Sequence, residues 1–400
     1  MESCQKTNDK KYILIINLVM QIVFCFFNVF FNIYVYDISK NLNIVIFYTI
    51  AHEVFGLLLN FAINKFINKN VASVLFKLSF ILCLICTLLS FFITAQRLYL
   101  VFIVQILYAT TCCFYYMPSE VATMNKNNKS QMKKFVGINS ALTVFAAVLS
   151  PYLSGCIIDF ISYYVLFAIM FVCSGICFIL STKLNIATNE IEHMNKREFF
   201  KIAHKEKGIR IGYLGYSLCR FSQNGIVEKL LPIIIFMRMG TNYSVGNYSA
   251  LASFLASVVL IIYVYYSKNK VLSMYICTFF QILASILILI SNSIVIYFIY
   301  FFTKKITTKL LHNEVYSTLF VLLDNTQLAN YKVEHYLVYN TYSSSALTIS
   351  CLLCLVFYNF FNNVVGLSLF LAFASLMQLL STILIIKSDK LLKVYENKEV

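Results

Sequence analysis

Arg220, Asn224 and Glu228 stand four residues apart within one apolar run, and Lys305, Lys309 and His312 stand at steps of four and three within another. On a helix each set falls on one face. A charged side chain at the centre of a membrane-spanning helix costs about 2.5–3.5 kcal/mol on insertion scales, so such a residue faces protein or a water-filled cavity. Arg220 would lie roughly 16 Å from the nearer end of its run, and Lys304 and Lys305 roughly 15 Å from the end of theirs, both near mid-membrane. A cavity lined by these cations would favour an anionic or carboxylate-bearing solute. Arg220, Asn224, Lys305 and Lys309 are therefore candidate solute ligands. Structural readings compete with this one. Arg220 would form a fixed ion pair with an acid on another helix, or the run containing Lys305 would be broken, its lysines flanking a re-entrant turn. Glu228 and Lys229 would form an outer gate or snorkel to the headgroups.

Glu53, Glu120 and Glu228 are the candidates for coupling to a proton or another ion. A carboxyl removed from water can load a proton near neutral pH, and a neighbouring Lys or Arg opposes that loading, which is the competition a coupled process needs. Glu120 follows Pro118 near the end of its run, so a gate or interface role is the alternative there. His52 adjoins Glu53 but points elsewhere on a helix and reads as a packing residue. Asn17, Gln21, Asn28 and Asn32 form a rough polar stripe near the N-terminus, and Asn340, Thr341, Ser343 and Ser344 form another near the C-terminus. Gln21 and Asn28 are further candidate solute ligands. Hydrogen bonding between helices explains both stripes equally well.

The elements that must position these residues are set by composition. Of the 400 residues 60% are hydrophobic and 12% charged, a balance that no soluble fold of this length carries. A bilayer core about 30 Å thick takes roughly 20 apolar residues per helix, and lipid offers the backbone no partner, so runs of this length must be helical. Twelve spans are expected, at 12–36, 44–63, 71–95, 98–124, 135–158, 161–182, 209–236, 245–266, 271–291, 294–323, 336–358 and 364–386. With the N-terminus inside, about 22 Lys and Arg fall on inner segments, and only Lys40, Arg97 and Arg238 on outer ones. The positive-inside rule then places both termini in the cytoplasm and the chain in the cell membrane. Trp is absent, so Tyr must anchor the interfaces. The net charge of +15 is spread over short loops, which argues against a nucleic-acid partner.

Thirteen Cys lie mostly within apolar runs, without His or Cys at zinc spacing, and read as small apolar side chains. Neither a metal nor a cofactor is expected. The sequence holds no P-loop, no H-E-x-x-H and no G-x-S-x-G, and an enzyme is not expected. No cleavable signal is apparent, because the first apolar run is too long and lacks a small-residue cleavage site. Asn242-Tyr-Ser and Asn247-Tyr-Ser match a glycosylation pattern of low specificity.

The expected organisation is an N-terminal six-helix bundle (1–182), a cytoplasmic linker (183–208) and a C-terminal six-helix bundle (209–400). A basic amphipathic piece at Asn195–Lys207 would lie on the inner leaflet or be a solvated linker helix. The halves are weak repeats: Phe135-Val-Gly-Ile-Asn139 lines up with Tyr336-Leu-Val-Tyr-Asn340, and the last spans end alike at Lys183 and Lys387. A parallel six-plus-six repeat is the signature of one transporter class, with its site near the midplane between the halves.

The fifth span carries Gly137, Ala146, Ser150-Pro151 and Ser154-Gly155, a spacing that fits the antiporter pattern G-x8-G-x3-G-P-x2-G-G with small residues at three of the glycines. Small side chains and a proline let such a helix bend and press on a neighbour. On this motif and the repeat, the chain resembles the major facilitator superfamily over nearly its whole length. Other motifs depart from the family pattern. The loop between spans 2 and 3 (Asn64-Lys65-Phe66, Asn68-Lys69) lacks the usual Asp, and Phe102 stands three residues before Gln105 where an Arg tied to proton transfer is usual.

The resemblance implies an all-α membrane protein of twelve transmembrane helices in two six-helix bundles around a central cavity. It implies a secondary transporter that moves a small organic solute by alternating access, with export by antiport favoured by the fifth-span motif. Uptake of an anionic nutrient by symport is the alternative, and a non-transporting sensor or immunity protein of the same fold is another. The expected partners are a small-molecule solute, the lipid bilayer and a coupling ion, and a monomer is expected.

Overall fold

The computed structural model describes the backbone over residues 2–63, 71–124, 129–184, 194–266, 269–291, 293–324, 328, 331–361 and 363–396. Helices account for almost all of it, and no strand occurs among the described residues. The first half contains α1 (Glu2–Cys25), a π-helical turn (Phe26–Phe30), α2 (Phe31–Ser39), α3 (Leu42–Ile63), α4 (Val71–Ser90), α5 (Tyr99–Met124), α6 (Lys129–Phe160) and α7 (Tyr163–Thr182). The second contains α8 (Lys196–Lys205), α9 (Lys207–Gln223), α10 (Ile226–Met239), α11 (Asn242–Tyr266), α12 (Lys270–Ile290), α13 (Ile294–Asp324), α14 (Lys332–Phe360) and α15 (Asn363–Glu396).

Among the described residues, 10 helical stretches are long and apolar enough to cross a membrane. The continuous helix α13, interrupted by Lys304, Lys305 and Lys309, and the pair α9–α10, split at mid-length, bring the number to the expected twelve. The solvent logic is that of lipid. Exposed positions on the spans are apolar, as with Phe254, Ile261 and Ile262 on α11 and Phe279 and Phe280 on α12. Buried positions include Gln105, Gln281, Ser350 and Gln378. The chain is an integral, multi-pass membrane protein.

Two compact units emerge. One comprises Met1–Ile191 with Pro232–Ser253, the other Glu192–Leu231 with Phe254–Val400. In the first unit, α5 packs on α3 and α4, and α1 packs on α6 and α7. Two residues of the first span's polar stripe, Asn17 and Asn32, are engaged by hydrogen bonds to neighbouring helices. Asn17 donates to Asn139 Oδ1 of α6 (2.9 Å) and accepts from the Tyr115 hydroxyl of α5 (2.6 Å). Asn32 accepts from the buried Tyr48 hydroxyl and donates to the carbonyls of Phe27 (3.1 Å) and Asn28 (2.7 Å). Those carbonyls lie in the π-turn, where the Phe31 N–H reaches back five residues to Phe26 O. A widened turn loosens the usual ladder, and Asn32 caps it from the side. Asn32→Ala removes three hydrogen bonds, two buried and one part-buried, at about 1 kcal/mol each. It is expected to lower the thermal stability of a fluorescently tagged chain by several degrees. A double-mutant cycle with Tyr48→Phe checks the pairing, since the two losses should fall short of additive.

In the second unit, α9 packs on α13, α14 and α15. The linker helix α8 starts at Asn195, whose side chain accepts from Arg197 N (3.0 Å), with Glu198 in its first turn and His204 and Lys205 in its last. Those charges match the helix dipole. Phe199 and Ala203 are fully buried, Phe200 stacks on His204, and the Met194 N–H donates to Glu334 of α14 (3.0 Å). The apolar face of this helix is thus taken by protein, where the sequence offered a choice between leaflet and solvent.

Candidate functional site

The seventh span is broken where the sequence places Asn224-Gly225. Asn224 is extended (φ −117°) and its N–H closes the last turn of α9 on Arg220 O (3.0 Å). Gly225 lies at φ +60°, and a Cβ there would stand 2.8 Å from Leu347 Cδ2, so both the conformation and the space call for glycine. The expectation that Arg220, Asn224 and Glu228 share one continuous helical face is corrected by this break. The competing reading, a tenth span broken at its lysines, is set aside too, because α13 runs unbroken through them. An Asn-Gly pair within an apolar run is a turn signal, and it was the sign that could have located the break.

A break deprives the last carbonyls of α9 and the first N–H groups of α10 of intrahelical partners. The second unit supplies several. Phe221 O accepts from Ser350 Oγ of α14 (3.2 Å), and Ser222 O accepts from Lys304 Nζ of α13. Gln378 of α15 accepts from the Ser222 hydroxyl and from Gln223 Nε2 (3.1 Å). Glu228 lies in the first turn of α10, where a negative charge suits the dipole. It accepts from Asn224 Nδ2 (3.4 Å) and pairs with Lys305 Nζ (3.7 Å). Both side chains of that ion pair are about a third exposed, at 35% and 30%.

Around this break the cations gather. Arg220 Nε donates to Ser343 Oγ of α14 (3.0 Å). Arg220 and Lys309 both act electrostatically on His312. Lys304 is buried at 3% exposure, whereas Lys305, Lys309 and His312 are part-exposed on the adjoining stripe of α13. The acid of the same helix, Glu314, is engaged elsewhere, with Lys270 (3.4 Å) and the Tyr263 hydroxyl (2.9 Å). The structure therefore brings Arg220, Asn224, Glu228, Lys305 and Lys309 into one cluster. It adds Lys304, Ser222, Gln223, Ser343 and Gln378, which the spacing argument had not assigned as ligands. Gln378 gives no sequence signal, being one polar residue among many in an apolar helix. Lys229 is buried at 5% exposure and does not reach out to headgroups.

The remaining candidates lie in the first unit. Glu53 is buried in α3 and acts electrostatically on Cys112 and Cys113 of α5. His52 bonds to the backbone oxygen of Gln105 (3.2 Å), as expected of a packing residue. Asn28 accepts from Tyr108 (3.4 Å), and Gln21 is half-buried. Glu120 falls within α5, but its side chain is outside the described residues. The fifth-span motif finds its neighbour in α11. A Cβ on Gly155 would meet Asn242 O at 2.7 Å, and one on Gly246 would meet Pro151 O at 2.4 Å. The two backbones touch. Asp159, at the end of α6, caps the start of α11 by accepting from the N–H groups of Asn242 (3.2 Å) and Tyr243 (2.7 Å). Asn242 is buried and also accepts from Tyr163 (2.6 Å), so this glycosylation match is occluded.

The sequence model of the Major Facilitator Superfamily matches residues 13–308. No curated protein matches the chain in sequence. Solved structures of similar fold include a bacterial homologue of the iron transporter ferroportin in an inward-facing state. It has TM-score 0.65 and 12% identity, over 97% of this chain and 99% of that one. A mutant of the nucleoside transporter NupG is similar with TM-score 0.71 and 10% identity, over 95% and 99%. A bacterial homologue of the human lysosomal transporter Spinster is similar with TM-score 0.62 and 11% identity, over 96% and 97%.

Proposed function

The chain belongs to the Major Facilitator Superfamily and is a membrane transporter, and on that premise we propose that it carries a small anionic organic solute by alternating access. The observation that carries this reading is the charge of the cluster at the break in the seventh span. Among the described residues it gathers Arg220, Lys305 and Lys309 beside His312 and Ser343, with Glu228 paired to Lys305. A concentration of positive charge in a low-dielectric interior favours an anion, and the solute supplies one. Arg220 and Lys309 hold the solute, Asn224 orients it, and the solute competes with Glu228 for Lys305. Gln21 and Asn28 remain further candidate solute ligands, and Glu53 and Glu120 secondary candidates for coupling.

Export by antiport is the favoured direction, supported by the antiporter-like fifth span and its close approach to α11. Uptake by symport has one observation of its own. An anion that displaces Glu228 from Lys305 leaves that carboxylate free to take a second cation, which makes solute and coupling ion bind together. The two halves 1–182 and 209–400 would rock about the site. The chain would work as a monomer in the cell membrane with both termini in the cytoplasm, as the distribution of Lys and Arg supports.

Purified protein in liposomes tests the reading, with a panel of radiolabelled carboxylates, phosphate esters and their neutral analogues. An exporter extrudes an anion only under an imposed pH or ion gradient, and an uptake carrier accumulates it in the opposite sense. Neutral analogues that move as fast as anions would overturn the anionic assignment. Lys309→Gln is expected to raise the KM for the transported anion roughly tenfold, the effect of one charge-assisted hydrogen bond.

A further inference from the structure

The carbonyl end of α9 has a cation built into it. A helix C-terminus carries about half a negative charge on carbonyls that have no intrahelical donor. In a membrane interior such groups must be satisfied by something other than water. Broken helices in transporters commonly meet this need by coordinating a cation from solution. Here the ammonium of Lys304 lies on the Ser222 carbonyl, one residue before the end of α9. Lys304 makes no ion pair among the described residues. Its neighbour Lys305 takes Glu228, about 100° further round the helix. Beside Ser222, the side chain of Gln223 is buried at 3% exposure, and its Oε1 has no hydrogen-bond partner. The end of α9 therefore presents a carbonyl held by Lys304 and, on the next residue, an amide oxygen that no donor among the described residues reaches, Lys304 included; both are oxygen types that suit a hard monovalent cation.

We propose that Lys304 is a tethered cation occupying a monovalent-cation site at the carbonyl end of α9, so that the chain carries in its own sequence the ion such a break would otherwise recruit. Lys304 acts as a positioning residue. It fixes α9 against α13 and so holds the geometry in which Arg220 and Glu228 flank the gap. Truncation of its side chain leaves a vacated seat that a small cation can enter.

The test reads stability and needs no solute, so its failure leaves the anion assignment standing, and failure of the anion assignment leaves it standing. Thermal unfolding of a fluorescently tagged chain is followed in membranes, at constant ionic strength. The salts compared are the chlorides of sodium, potassium, methylammonium and N-methylglucamine. Wild type is expected to unfold at one temperature in all four. Lys304→Ala is expected to be less stable in N-methylglucamine and to recover by about 3 °C or more in 100 mM methylammonium, sodium or potassium, as mass action on a native-state site requires. Lys304→Gln, which keeps a donor for the Ser222 carbonyl but no charge, is expected to stay destabilised. A Lys304→Gln chain as stable as wild type would show that a hydrogen bond suffices and would overturn the proposal. So would a Lys304→Ala chain that no small cation stabilises. Should the alanine variant not accumulate in the membrane, the glutamine variant decides alone.

Discussion

Arg220→Ala is expected to cut flux of the anionic solute by roughly ten- to a hundredfold while shifting the unfolding temperature by only a few degrees. Arg220 sits in the last turn of α9 and is part-exposed, with Nε on Ser343 and its charge felt by His312. A hydrogen bond to a charged group contributes about 1.5–3 kcal/mol, and each 1.4 kcal/mol is a factor of ten in affinity. The packing loss is smaller, because Arg220 is part-exposed and the last helix turn is closed by the Asn224 N–H rather than by its side chain. Arg220→Lys should recover only part of the flux, since an ammonium cannot reproduce the planar fork of donors. The measurement is solute uptake or counterflow in liposomes, with thermal stability as control. Unchanged flux in Arg220→Ala would remove Arg220 from the site, and unchanged flux also in Lys305→Gln, Lys309→Gln and Glu228→Gln would remove the site.

Gly246→Leu is expected to abolish accumulation of folded chain, the largest structural effect of any single change considered. The clash is with main chain: a Cβ at Gly246 would stand 2.4 Å from Pro151 O and 3.2 Å from Gly155 Cα. Flexible side chains can yield to an added methyl, but two packed helices cannot without separating. Separation would also tear the Asp159 carboxylate from the N–H groups of Asn242 and Tyr243. Overpacking alone costs typically about 1–3 kcal/mol, occasionally more, and the lost cap adds about another, a large share of the roughly 5–15 kcal/mol that holds a typical domain. Fluorescence-detected size exclusion of a tagged chain reads the outcome. Gly56→Ala is the control, since nothing lies within 4 Å of a Cβ there. A monodisperse Gly246→Leu protein with the unfolding temperature of wild type would refute the close approach of α6 and α11.

Much of this architecture was legible in the chain because a bilayer imposes one length and one solvent on every element. The expected third to sixth spans begin or end within a few residues of α4, α5, α6 and α7, where apolar runs are bounded by Lys, Asn or Asp. The fifth-span pattern predicted a close neighbour, though not that α11 would be the partner, because small residues advertise proximity without naming what approaches. The site was half legible. Charges in apolar runs singled out Arg220, Lys305, Lys309 and Glu228, since hydrocarbon makes such residues conspicuous. Gln378 was not conspicuous, because uncharged polar residues are common inside bundles, and Ser343 stood out only as one member of a polar stripe. The shared face of Arg220, Asn224 and Glu228 was misjudged because helical spacing presumes an unbroken helix, and the Asn-Gly signal was overridden by the length of the apolar run. The first polar stripe went to inter-helix bonding for a simple reason: Asn17 and Asn32 sit where Tyr115 and Tyr48 reach them.

The π-turn at Phe26–Phe30 has an evolutionary corollary. A widened turn is what remains when one amino acid is inserted into a helix that cannot lengthen at its ends. Relatives whose first helix winds without such a bulge will therefore match this chain in frame on one side of Phe26 and be offset by a residue on the other. Gap-free superposition through this segment would swing either Asn17 or Asn32 by about 100° toward the acyl chains, so a placeholder inside the first transmembrane helix is the physically correct correspondence.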